Sequence, residues 1–151
     1  MEYVPGDPAP HFNLRDQDGR PILLFDLFEK ACVLIAFVPE RGAAAAALAA
    51  AVGRTGGAAK LRSAGAEPLV VVPAGAGEAK AFAAAHELDV SVLADDDRSV
   101  SREFGVVSPA GDVSPAAFLV DRAGNIQAVY KAPDPARLCD EAVAAVRALS
   151  G

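Results

Sequence analysis

The sequence predicts an α/β domain in which a central mixed β-sheet is flanked by helices and preceded by a β-hairpin. Three observations predict it. The apolar runs at residues 32–38 and 67–72 have the near-continuous hydrophobicity of strands covered on both faces. A helical pattern follows each run, and this alternation argues for parallel pairing with right-handed crossovers. A strand-turn-strand unit and a last amphipathic helix then close the chain. The length of 151 residues suits a single domain, spanning 1–151, with a core that needs no disulfide staples.

Taken in order, Phe12 and Leu14 alternate with polar neighbours, Asp16-Gln17-Asp18-Gly19 supplies turn chemistry, and Ile22-Leu23-Leu24 resumes the apolar pattern, which predicts the opening hairpin. Asp26-Leu27-Phe28 reads as one helical turn. The first central strand follows at 32–38. From Gly42 to about Val52 the chain is almost all Ala, a strong helix former, and a helical pattern resumes at 58–62. The glycines between 53 and 57 mark a break. A second buried strand at 67–72 leads into a helix at 78–88, where Phe82 and His86 share one face. A short strand at 90–93 and a short helix at 97–104 come next. Residues 117–120 read as a strand, 121–125 as a tight turn and 126–130 as its antiparallel partner. The final helix, 135–149, takes Pro135 in its first turn and repeats Leu138, Ala142, Val146 and Leu149 on one face.

Composition narrows the function. Fourteen basic against twenty acidic side chains give a formal charge of −6, and the basic residues are scattered, so nucleic acid is not the expected partner. The longest apolar run is too short to cross a bilayer, and the first residues lack the basic-then-apolar pattern of an export signal. Two cysteines, Cys32 and Cys139, stand at wide spacing without the pattern of a disulfide framework or a zinc site, which fits a reducing cytoplasm. Alanine fills 34 of the 151 positions, so the core must come from Val, Leu, Ile and Phe. His11 and His86 are isolated from any ligand partner. Asp95-Asp96-Asp97 lacks the regular oxygen spacing and Gly of a calcium loop, and acid at a helix N-terminus accounts for it. No metal and no cofactor is expected.

Three separated segments resemble one family. They are 4–14 with 16–21, the strand ending Phe37-Val38-Pro39, and 115–126. Together they are similar to the peroxiredoxin-like branch of the thioredoxin superfamily, the alkyl hydroperoxide reductase / thiol-specific antioxidant family. The resemblance implies a thioredoxin-like fold with an N-terminal hairpin extension. It also implies thiol chemistry, because a thiolate held at a helix N-terminus attacks the peroxide and becomes a sulfenic acid that another thiol resolves.

The residues that would carry this chemistry are missing. Counted from Pro39, the family's Thr or Ser and its Cys fall near Ala43 and Ala46, and a thioredoxin-like register places the two cysteines near Gly42 and Ala45. Neither register recovers a sulfur. The Arg that the family places three residues before Phe118 is Pro115, which matches the reductases' Pro and leads to the expectation of a cis Ser114–Pro115 bond. Glu40 and Arg41 are the charged groups of this loop, and Arg41 could help to bind a small anion, although a solvated ion pair accounts for both. Cys32, at the start of a buried strand, and Cys139, beside Asp140, read as silent structural thiols.

Two functions follow. In the preferred one the domain is redox-dead and binds a partner protein or small molecule at its former active-site cleft, between the Ala-rich helix and Pro115. In the other it remains an antioxidant oxidoreductase that works through Cys139 or Cys32. Family members often pair through the sheet edge or the loops around the active site, so the resemblance also implies a homodimer.

Overall fold

The computed structural model describes residues 3–39 and 42–150. Thirteen elements appear among them. The opening hairpin is β1 (Asn13–Arg15) and β2 (Pro21–Leu23), followed by α1 (Leu24–Phe28). The central unit runs β3 (Cys32–Phe37), α2 (Ala43–Gly53), α3 (Thr55–Ala64), β4 (Ala66–Val72), α4 (Ala76–Ala85), β5 (Ser91–Ala94) and α5 (Ser99–Glu103). The chain closes with β6 (Ala116–Val120), β7 (Ile126–Lys131) and α6 (Pro135–Ser150).

All seven strands form one sheet in the order β2-β1-β5-β4-β3-β6-β7. β3, β4 and β5 are parallel, as the helical crossovers between them require. β6 runs antiparallel to β3, and β7 to β6, so the sheet is mixed. Side chains alternate between two cores. Cys32, Leu34, Ala36 and Val38 face the layer built by α2, α3, α4 and α6. Val33, Ile35 and Phe37 face an aromatic layer containing Phe12, Phe28, Phe104 and Phe118. Burial on both faces explains why β3 and β4 read as unbroken apolar runs. An irregularity between Leu119 and Val120 lets both Ile126 and Val129 of β7 join the aromatic layer.

The break in the Ala-rich region is narrower than the glycines suggest. α2 ends at Gly53 and α3 begins at Thr55, so Arg54 alone is extended, and Gly56 and Gly57 lie inside α3. Close packing explains the composition: a Cβ on Gly57 would stand 2.0 Å from the Ala51 carbonyl oxygen, and one on Gly53 would stand 2.9 Å from Leu88 Cδ2. α4 stops three residues earlier than the periodicity predicts, because Glu87 turns to φ +54°.

The Ser114–Pro115 bond is trans, a correction to the expected cis bond. Val107 and Val113 bridge, and the Ser114 N–H donates to the Val106 carbonyl at 2.7 Å, so the segment enters β6 already extended. Proline needs no cis bond there. It precedes the first paired residue of the strand, where its missing N–H leaves no ladder bond unmade.

Candidate functional site

The first turn of α2 is where the family likeness places the reacting group. Gly42, at φ +108°, turns the chain into the helix from a backbone region that side chains resist. Its carbonyl accepts the Ala46 N–H at 3.2 Å, which puts Ala46 in the opening turn. Ala43 is exposed and Ala46 half-buried, and both present a methyl group, without lone pair or ionisable proton. Pro39 is also half-buried. Glu40 and Arg41, singled out in the sequence as the charged groups of this loop, lie outside the described residues.

Pro115 stands beside a cavity of about 480 Å³. Tyr3, Phe104, Val107, Phe118, Val129 and Lys131 line it, and no residue of α2 is among its described lining. The sequence points to a cleft between α2 and Pro115, but this cavity opens on the aromatic side of the sheet instead. Tyr3 forms one wall. Its hydroxyl donates to the Glu103 carbonyl at 2.7 Å, and its ring meets Phe118 edge-on at 6.4 Å. The N-terminal segment is held by backbone bonds from Gly6 N–H to the Ile126 carbonyl and from Ile126 N–H to the Asp7 carbonyl, each 2.7 Å. Sequence reading missed Tyr3 because nothing local in Met1-Glu2-Tyr3 signals which strand it will lie against.

The structure keeps both thiols away from the α2 mouth. Cys32 is 7% exposed at the first residue of β3, at the opposite end of the strand from the loop that leads into α2. Five strand steps separate it from Phe37, about 17 Å. Burial raises its pKa, helped by Asp121 and opposed by Arg122. Cys139 is half-buried on α6, and its Sγ donates to the Ala51 carbonyl at 2.9 Å, near the far end of α2. Burial raises this thiol too, with Asp140 adding to the effect and Lys60 opposing it. Both sulfurs are therefore protonated near neutrality, and only a thiolate is a good nucleophile.

The remaining candidates are occupied locally. His11 stacks on Phe25 with ring centroids 4.1 Å apart, and His86 packs on Phe82 at 4.5 Å. Asp95 is fully buried and accepts the Val100 N–H, the Ser101 N–H and the Ser101 hydroxyl at 3.2, 2.8 and 2.7 Å. It anchors the start of α5, and Asp97 accepts the Ser99 N–H at 3.0 Å. Among the described residues no three His, Cys, Asp or Glu side chains gather as metal ligands, and no helix is long and apolar enough to cross a membrane.

Comparison with known proteins agrees with this architecture. The model of the AhpC/TSA family matches residues 5–129. "Peroxiredoxin Q, chloroplastic" from Sedum lineare is 31% identical over 127 residues, covering 83% of this chain and 67% of that protein. For the Oryza sativa subsp. japonica protein of the same name the identity is 30%, and the chain spans only 58% of its length. "Peroxiredoxin Bcp" from Escherichia coli (strain K12) is 30% identical over 132 residues, covering 83% of each. Among solved structures, peroxidoxin BcpB from Mycobacterium tuberculosis superimposes with a TM-score of 0.86 over 96% of this chain and 97% of its own, at 23% identity. Xanthomonas campestris peroxiredoxin Q gives 0.81 over 93% and 92%, at 18% identity. Those two likenesses speak to the fold alone. The family model and the E. coli relative speak to descent, and the hairpin, the mixed sheet and the helix following Pro39 are arranged accordingly: the chain belongs to the AhpC/TSA family, as a peroxiredoxin-like member of the thioredoxin superfamily.

Proposed function

We propose that this domain has no thiol peroxidase activity of its own and serves as a binding or structural module, meeting a partner protein or small molecule around the mouth of α2 and Pro115. One observation carries the reading: the first turn of α2 presents the methyl of Ala46, while the two sulfurs of the chain lie elsewhere with raised pKa values. Peroxide reduction needs an ionised sulfur that can become a sulfenic acid. A methyl group cannot do this. The neighbouring Pro115 likewise carries no charge with which to polarise a peroxide. Two unpaired cysteines also accord with a reducing cytoplasm as its location.

The test is peroxide consumption in the presence of a dithiol reductant, for the wild type, Cys32→Ser and Cys139→Ser. No cysteine-dependent turnover is expected. A large loss of turnover on one substitution would establish the antioxidant oxidoreductase instead and identify its sulfur.

A further inference from the structure

Asp16-Gln17-Asp18-Gly19, which the sequence marks as turn chemistry, also reaches the central sheet. β1 meets β5 through a single residue pair, Arg15 with Ala94, at the end of β5. Nearer the start of that strand its outer edge is met by a side chain instead: the Gln17 Nε2 donates to the Val90 carbonyl at 3.0 Å, and the Gln17 Oε1 accepts the Val92 N–H at 2.8 Å. A residue of a parallel neighbouring strand would make the same two bonds, to the carbonyl before and the N–H after the residue that it faces. Here one amide makes both. The turn that carries it is internally braced, because Asp16 is buried and its Oδ1 accepts the N–H groups of Asp18 and Arg20 at 2.9 Å each, while Gly19 turns at φ +80°.

We propose that the Gln17 side chain is a latch that holds the tip of the opening hairpin, residues 16–20, on the edge of β5, and that the tip lifts off as one rigid turn when the amide lets go. The motion is confined to the tip. At the open end of the hairpin Phe12 and Leu24 are buried in the aromatic layer, and the Leu24 N–H donates to the Phe12 carbonyl at 3.2 Å. The inner edge of β5 is untouched, since it pairs with β4 over four residues and the Asp95 N–H donates to the Val72 carbonyl at 2.9 Å. Asp18, Arg62 and Asp89 line a polar groove beside the latch, so water can reach the two groups that it releases, and opening stays local. The lifted tip would leave an unpaired strand edge, the feature by which sheets add further strands. The latch uses nothing at the α2 mouth, so it stands or falls apart from the question of peroxide turnover.

Amide hydrogen exchange followed by NMR tests it. In the wild type the Val92 N–H should exchange faster than the Asp95 N–H, because the tip opens without the sheet. In Gln17→Ala the Val92 N–H should exchange about five- to a hundredfold faster than in the wild type, the range for a partly buried donor that loses its acceptor. Asp95 should keep its rate, and so should Asp18 and Arg20, whose bonds to Asp16 travel with the tip. Gln17→Glu retains an acceptor for Val92 and loses the donor to Val90, so its acceleration at Val92 should be smaller than that of Gln17→Ala. Four results would each overturn the proposal: equal protection of Val92 and Asp95 in the wild type, an unaltered Val92 rate in Gln17→Ala, equal acceleration of Asp95, which would mean that the whole sheet loosens, or equal acceleration of Asp18 and Arg20, which would mean that the turn melts. The wild-type comparison needs no substitution, so it decides even if neither variant folds.

Discussion

Cys139 and Asp95 show how a polar side chain can be committed to structure. The Cys139 thiol donates to a carbonyl in α2 and Asp95 accepts three donors at α5. Alkylation by a small reagent at pH 7 should consequently be slow at Cys139 and slower at Cys32, with both rates rising as pH passes the ordinary thiol value of 9.0. Mass spectrometry of Cys32→Ser and Cys139→Ser separates the two; fast modification of either at pH 7 would contradict the burial assigned to it. Asp95→Ala should lower stability by about 1–3 kcal/mol, since it strands two backbone donors in a buried place. Chemical denaturation reads this directly, and a loss within error would mean that water replaces the carboxylate. The role of Asp95 is partly legible: the acid run reads as a helix start, but which of the three aspartates is buried depends on β5 ending at Ala94, so that Asp95 follows directly and its N–H still donates to the Val72 carbonyl of the neighbouring strand.

The α2–α3 pair depends on how closely two helices can approach. Alanine normally stabilises a helix relative to glycine by up to about 1 kcal/mol. At Gly57 this order should reverse, because the new methyl would collide with the Ala51 carbonyl oxygen, and overpacking of this kind costs about 1–3 kcal/mol. Gly56 has nothing within 4 Å of its absent Cβ, so Gly56→Ala should be neutral or stabilising by about 0.5 kcal/mol. Thermal melts should show a lowered midpoint for Gly57→Ala and an unchanged or raised one for Gly56→Ala, and a Gly57→Ala midpoint at or above that of the wild type would show that the close approach is not limiting. The sequence marks this region as a break because two adjacent glycines resemble a linker. Their use as a contact surface depends on α6 and the last turn of α2, which lie at a distance along the chain.

For the whole molecule, pH couples the buried acids to stability. Cys32, Cys139, Tyr3 and Tyr130 all have raised pKa values, each chiefly through burial. The folded state therefore holds these protons more tightly than the unfolded chain does. This stabilisation is complete below the unfolded values, 9.0 for the thiols and 10.0 for the phenols, and is lost as pH rises through the higher folded values. The thermal midpoint should thus fall progressively above pH 9, and less steeply in the Cys32→Ser, Cys139→Ser double variant. A midpoint that stays flat to pH 11, or an unchanged slope in the double variant, would contradict the coupling.

Much of this architecture follows from local pattern, because burial on both faces makes β3 and β4 uninterrupted apolar runs, and turn residues announce both hairpins. The absence of sulfur from the α2 mouth is likewise a matter of composition and register. Neither the trans entry of Pro115 into β6 nor the side of the sheet on which its cavity opens could be read in this way. Both depend on where residues 106–114 and the N-terminal segment come to lie, and those positions are set by backbone hydrogen bonds between stretches of chain far apart in sequence.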